Sequence, residues 1–153
     1  MSNVQANSFK SMESYQTTKT MVPEGHITMA CDGAYSGNSG KGGWAFYDGV
    51  NYQNGVLPGP TTNNIAEYTG LIKLLEHILK MNRHLESIMI MMDSQLVVYQ
   101  INGSYRVKDV KLIPLHAKAS ALLSATNAKV MWVPRETPIM NQVDGYAKAG
   151  SKM

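Results

Sequence analysis

The sequence contains a single cysteine, Cys31, among its 153 residues, so no disulfide can form within the chain. Nothing in it therefore calls for an oxidising compartment. No stretch reaches the roughly 20 consecutive apolar residues that a membrane-spanning helix needs. No apolar segment follows the N-terminus as it would in a secretory signal. These absences predict a cytoplasmic protein with no membrane partner.

Charged residues are also few and make up 16% of the chain. The net charge of +3 indicates only a slight preference for a polyanionic partner. Residues 1–24 are rich in Ser, Thr, Asn and Gln, and we predict that they form a disordered tail. Hydrophobic residues make up 44% of the chain, enough for a core. Residues 25–150 are therefore expected to form one compact domain.

Alternating and wholly apolar runs indicate the strands. Apolar and polar residues alternate up to Asp32, where a Gly- and Ser-rich loop over residues 33–43 is expected to begin. Asp48 and Gly49 are typical of a hairpin turn between two strands. A Met-rich apolar run before Asp93 is typical of a central strand that is covered on both faces. The strands are predicted at residues 26–32, 43–47, 52–57, 87–92 and 129–133.

Four helices are predicted between and after these strands. The longest has one apolar stripe, and Asn64 is its expected N-cap. The helices are predicted at residues 63–81, 94–101 and 114–125, with a short final helix from about residue 141. This order predicts an α/β fold: a mixed five-stranded sheet, with three antiparallel strands and then two parallel ones, flanked by helices.

Four acidic residues can converge on one edge of this sheet. Asp32 and Asp93 end two strands that should be parallel neighbours, and ligand sites form at such carboxyl ends. Glu67 and Asp144 fall in the first turns of the longest and the last helix. Clustered carboxylates repel one another unless cations neutralise them. A set of oxygen ligands suits Mg²⁺ or Mn²⁺.

Each acid alone also has a structural explanation. Glu67 and Asp144 each lie three residues after an Asn, as in a capping box. Asp32 begins a Gly-rich turn, and Asp93 is a possible N-cap of the next helix. The residues alone therefore also allow an alternative, an α/β interaction domain whose acids only cap helices.

The segments around the four acids resemble the ribonuclease H family. The resemblance spans about residues 26–149 and follows the family's order of motifs. The matching segments are Cys31-Asp32-Gly33-Ala34 with Gly42-Gly43, Thr62-Asn63-Asn64-Ile65-Ala66-Glu67, Met92-Asp93-Ser94-Gln95, and Trp132-Val133-Pro134-Arg135-Glu136 leading to Asn141-Gln142-Val143-Asp144.

The resemblance implies an endonuclease that hydrolyses the RNA strand of an RNA–DNA hybrid, leaving 5′-phosphate and 3′-hydroxyl ends. It implies two Mg²⁺ ions, with Mn²⁺ as a substitute, about 4 Å apart. Asp32 would bridge both ions, Glu67 and Asp93 would share one, and Asp144 would complete the other. The ribose 2′-hydroxyl distinguishes RNA from DNA. The residues expected to contact substrate are Gly33, Ala34, Tyr35, Asn63, Asn64, Gln95 and Arg135.

The sequence departs from the family pattern at two places. Many relatives carry a His in the loop before the last acid, whereas this chain has Arg135 there and no His. Residues 104–111 are too short for the basic protrusion of some relatives, which predicts a short bacterial or archaeal-like form. Two rivals on the same fold remain, a non-catalytic nucleic-acid-binding module and a 3′–5′ exonuclease. The exonuclease would carry a second acid where Ala34 stands. No obligate protein partner is evident.

Overall fold

The computed structural model describes residues 25–153, so the tail predicted at residues 1–24 lies outside the described part of the chain. Among the helices that it describes, none is long and apolar enough to cross a membrane. The elements are β1 (Ile27–Tyr35), β2 (Gly42–Tyr47), β3 (Tyr52–Leu57), α1 (Asn63–Lys80), β4 (Ile88–Met92), α2 (Gln95–Ile101), α3 (Ile113–Ser124), β5 (Ala128–Trp132) and α4 (Pro138–Ser151).

The strands form one five-stranded sheet in the order β3-β2-β1-β4-β5. Strands β1, β2 and β3 pair antiparallel, and β4 lies parallel between β1 and β5. The predicted mixed sheet is therefore confirmed. Every residue of β4 is buried, as its uninterrupted apolar run predicts for a strand covered on both faces.

The two faces of the sheet carry separate apolar clusters. In β1, Met29 and Cys31 belong to the cluster covered by α1, α2 and α3, whereas Ala30 and Ala34 belong to the cluster under α4. This division follows from the alternation of side chains along a strand. The two helices that carry candidate acids, α1 and α4, therefore approach β1 from opposite faces.

Strand β1 does not end at Asp32, and the loop predicted from residue 33 is wrong in its first part. The strand continues to Tyr35 because its last residues pair with β2, from Gly33 opposite Trp44 onwards. Its parallel pairing with β4 runs only as far as Ala30. Asp32 therefore lies two residues beyond the last β1–β4 pair, near the carboxyl end of β4.

Two helix starts also differ from the prediction. Thr62, not Asn64, is the N-cap of α1, and its side-chain oxygen accepts a hydrogen bond from the Ile65 amide at 3.2 Å. Helix α4 begins at Pro138 and has 14 residues, so it is neither short nor begun near residue 141. Proline suits a first helical position because its φ is already helical. The acids on both helices thus lie in the second turn, where they have no capping role.

Glycines allow α1 to lie directly on β1. A Cβ at Gly33 would collide with the backbone of Ala66 and Glu67, and a Cβ at Gly70 would collide with the backbone of Asp32. Helix and strand therefore meet backbone to backbone at two points, one at Ala66 and Glu67 and one at Gly70. This contact brings an acid of α1 against an acid of β1.

Replacing Gly70 and, separately, Gly145 by alanine tests this contact. Both glycines lie inside helices, but only Gly70 faces β1. Helix propensity alone favours either exchange by about 1 kcal/mol. Nothing lies within 4 Å of a Cβ built at Gly145, so Gly145→Ala should be stabilising. Gly70→Ala should instead lower the free energy of unfolding by about 1–3 kcal/mol, since rigid backbone has to move. Urea unfolding of both variants measures these free energies, and a Gly70→Ala variant more stable than the parent would contradict the backbone contact between α1 and β1.

Candidate active site

Three carboxylates from three separate parts of the chain converge near the carboxyl ends of β1 and β4. Asp32 is in β1, Glu67 is in α1, and Asp93 directly follows β4. Each offers an oxygen atom that lies within 4.8 Å of those of the other two. Asp32 and Glu67 are buried, and Asp93 is partly buried. The predicted convergence is thus present for these three residues.

Burial and mutual repulsion raise the pKa values of all three acids. Burial, followed by the negative charge of Asp93, raises the pKa of Asp32 to about 9. Burial raises the pKa of Glu67 to about 7, and a hydrogen bond from Ser94 opposes the rise. Burial likewise raises the pKa of Asp93, and the charge of Arg135 opposes it. The group therefore stabilises positive charge placed among its oxygens.

The donors around the group are few. The Gly33 amide donates to Oδ1 of Asp32 at 2.9 Å. The Ser94 side chain lowers the pKa of Glu67, and its hydroxyl accepts a hydrogen bond from the Val97 amide, which caps α2. Ser94 rather than Asp93 is therefore the N-cap, so the carboxylate of Asp93 remains available to a ligand. A buried, oxygen-only set of this kind fits a hard divalent cation such as Mg²⁺ or Mn²⁺.

Asp144 lies at the margin of the group. It is not among the acids that share the 4.8 Å cluster. Its negative charge nevertheless raises the pKa values of Asp32 and Asp93. Its own carboxylate pairs with the Lys148 ammonium one helical turn later, at 3.0 Å. The structure therefore brings three of the four predicted acids together and leaves the fourth beside them, held by a lysine.

The residues predicted to contact substrate fall into two sets. Gly33 and Ala34 are buried in β1, and the missing side chain of Gly33 makes room for α1. The others are exposed or half-buried. Tyr35 is exposed at the end of β1, Asn63 and the half-buried Asn64 begin α1, Gln95 begins α2, and the Arg135 side chain is exposed beside Asp93.

Three residues at the site are not among those predicted from the sequence. Lys148 could have been found from its i,i+4 spacing to Asp144. Ser94 lies in a matching motif, but its effect on the pKa of Glu67 needs the packing of α1 against α2. The indole Nε1 of Trp132 donates to the backbone carbonyl of Asp93 at 3.2 Å, and no local pattern points to that contact.

Comparison with known proteins identifies the family. The ribonuclease H family model matches residues 24–152. A bifunctional protein of Mycobacterium tuberculosis is 34% identical over 116 residues, which are 71% of this chain and 31% of that protein. Ribonuclease HI of Halobacterium salinarum is 33% identical over 119 residues, covering 74% of this chain and 59% of that protein. The chain therefore belongs to the ribonuclease H family, although it spans only about a third of the mycobacterial relatives' length.

Solved structures agree with this assignment. RNase H1 of Halobacterium salinarum superposes with a TM-score of 0.71 at 29% identity, covering 84% of this chain and 98% of that chain. LC11-RNase H1, solved in complex with an RNA/DNA hybrid, superposes with a TM-score of 0.72 at 26% identity, covering 82% and 96% respectively. The fold described above is therefore that of ribonucleases H1.

The raised pKa values predict that the metal-free protein becomes less stable as the pH rises. The pKa of Asp32 is about 9 when folded, against the ordinary 3.8. Between these values the folded chain binds more protons, so the free energy of unfolding falls with increasing pH. In EDTA at about pH 8, Asp32→Asn should therefore melt roughly 4 °C or more above the parent, a difference that should shrink towards about pH 5.

The control is Glu136→Gln, which removes an exposed negative charge from the loop between β5 and α4. Thermal unfolding of this variant should follow the parent at every pH. Equal melting temperatures for Asp32→Asn and the parent at high pH would show that the carboxylate of Asp32 is not destabilised in the folded chain.

Proposed function

We propose that this chain is a metal-dependent ribonuclease H that hydrolyses the RNA strand of RNA–DNA hybrids. The observation that carries the proposal is the convergence of three largely buried acids, Asp32, Glu67 and Asp93, whose carboxylate oxygens lie within 4.8 Å of one another. An arrangement that places repelling carboxylates together lowers stability unless a cation joins them, and such perturbed acids cluster at functional sites. Membership of the ribonuclease H family supports the same reaction.

The acids would hold Mg²⁺, or Mn²⁺ in its place, at two neighbouring positions. Asp32, Glu67 and Asp93 form the group that offers oxygens to the first position. Asp144 can contribute to the second once its carboxylate leaves Lys148. Divalent ions held in this way activate a water and stabilise the leaving oxygen of a phosphodiester. The expected products carry 5′-phosphate and 3′-hydroxyl ends.

The polar residues around the acids support a hybrid as the substrate. Asn63, Asn64 and Gln95 lie at the starts of α1 and α2, where side-chain amides can reach sugars and base edges. Tyr35 presents an exposed ring at the end of β1. We propose that these residues contact the RNA strand, where the 2′-hydroxyl distinguishes it from DNA. The related LC11-RNase H1 was solved with an RNA/DNA hybrid bound.

Cleavage of three matched duplexes tests the proposal. Labelled RNA–DNA hybrid should be cut internally with Mg²⁺ or Mn²⁺ and left intact in EDTA, whereas RNA and DNA duplexes should be cut far more slowly. Asp93→Asn should reduce the rate on the order of a hundredfold or more, since it removes a negative ligand from the group. Asp109→Asn is the matched control, because Asp109 is exposed in the loop before α3.

Each alternative function gives a different result in this assay. A 3′–5′ exonuclease would release single nucleotides from the end of the labelled strand, and a non-catalytic module would retard the hybrid without cutting it. If the hybrid stays uncut with both metals, or if Asp93→Asn cuts at the parental rate, the proposed function is wrong.

Arg135 is proposed to act during turnover, where many relatives have a His. Its guanidinium Nε lies 3.6 Å from Oδ2 of Asp93, yet the side chain is 76% exposed, so it can turn from the acid to a phosphate. Arg135→Ala should lower kcat about tenfold, equivalent to about 1.4 kcal/mol, with a smaller change in hybrid affinity. Arg106→Ala, in the exposed stretch before α3, should instead weaken binding in a salt-dependent way. Single-turnover kinetics separates the two effects, and an unchanged kcat in Arg135→Ala would contradict the role.

A further inference from the structure

The backbone of Asp93 is held by a side chain from the neighbouring strand. Asp93 is the first residue after β4, and Trp132 is the last residue of β5. The indole Nε1 of Trp132 donates to the carbonyl oxygen of Asp93 at 3.2 Å. The backbone ladder between the two strands ends one residue earlier, where the Val133 amide donates to the Met92 carbonyl at 2.9 Å. The indole of Trp132 thus adds one hydrogen bond beyond the ladder, to the carbonyl of Asp93.

The segments on both sides of Asp93 are fixed independently. Before it, Met92 pairs with Trp132 in the sheet. After it, Ser94 caps α2 by accepting from the Val97 amide at 3.2 Å. The peptide between Asp93 and Ser94 joins a strand to a helix and lies beyond the regular hydrogen bonds of either. A donor to its carbonyl therefore restricts the one peptide that could otherwise rotate.

The same chain segment also contacts the carboxylate. Arg135 lies three residues after Trp132 and pairs with Oδ2 of Asp93 at 3.6 Å. Because the Arg135 side chain is largely exposed, water screens this ion pair. The indole contact is part-buried, and the ring packs against the main apolar cluster. Of the two contacts, the one from Trp132 is better suited to keep Asp93 in place.

We propose that Trp132 is a positioning residue that orients Asp93 towards the other two acids. The inference rests on the proposed function, because it concerns the affinity of that same site for a divalent ion. Partners that orient a metal ligand typically change metal affinity 10- to 100-fold when they are removed. Trp132 would act on Asp93 through its carbonyl, without touching metal or substrate.

The test compares Trp132→Phe with Trp44→Phe, the only other tryptophan exchange that this chain allows. Trp44 stacks on Phe46 and lies over Gly55 of β3, on the far side of β1 from Asp93. Both variants lose an indole of a partly buried tryptophan and keep an aromatic ring. Calorimetric titration of the metal-free proteins with Mn²⁺ and with Mg²⁺ should give about tenfold weaker binding for Trp132→Phe. Trp44→Phe should bind like the parent.

Thermal unfolding in EDTA separates positioning from packing. If Trp132 served only the core, both variants would melt earlier and both would keep the parental metal affinity. Equal affinities in Trp132→Phe and the parent would therefore overturn the inference while leaving the proposed function intact. A parent that binds neither ion would overturn the proposed function, and the inference with it.

A second measurement applies should Trp132→Phe fail to fold. The chain has two indole N–H groups, and Trp44→Phe leaves only that of Trp132, which assigns both signals in a ¹H–¹⁵N spectrum. On titration with Mg²⁺ the Trp132 indole signal should shift, because its acceptor belongs to a residue of the metal-binding group. The Trp44 signal should stay in place. A stationary Trp132 signal at saturating metal would contradict the inference.

Discussion

Helix α1 lies closer to strand β1 than side chains would permit, because Gly33 and Gly70 leave backbone facing backbone. The rest of the site depends on this approach. Glu67 belongs to the first contact through its backbone nitrogen and precedes the second by three residues, so the two contacts decide where its carboxylate lies relative to Asp32. A similar set of glycine contacts seats α4 on the opposite face of the sheet. The helices that carry two of the acids are thus positioned by the absence of side chains.

The contact has an electrostatic consequence. It brings Glu67 against Asp32 where burial raises the pKa of Asp32 to about 9 and that of Glu67 to about 7. Such a group is unfavourable by itself, and the chain relieves it in part through the Gly33 amide on Asp32 and Arg135 beside Asp93, while a lysine pairs with the fourth acid. A cation between the acids would relieve it at the centre. Local instability and the proposed metal-dependent chemistry would then have the same physical origin.

Most of the fold could be predicted from the sequence, because alternation, apolar runs and turn residues are local signals. The central position of β4 follows from its unbroken apolar run. The errors lie where longer-range partners decide. Strand β1 continues past Asp32 because β2 pairs with it, which a glycine-rich sequence does not reveal. Helix α4 begins at Pro138, before the start predicted near residue 141.

By itself the sequence determined the order of the elements, the mixed sheet and the four acids that deserved testing, since residue type and periodicity are sufficient for these. Only the tertiary structure decided which acids meet. Asp32, Glu67 and Asp93 form one cluster, whereas Asp144 pairs with Lys148 outside it. The physical reason is that distances between side chains of different elements depend on how closely the backbones pack. Local sequence patterns do not predict that packing.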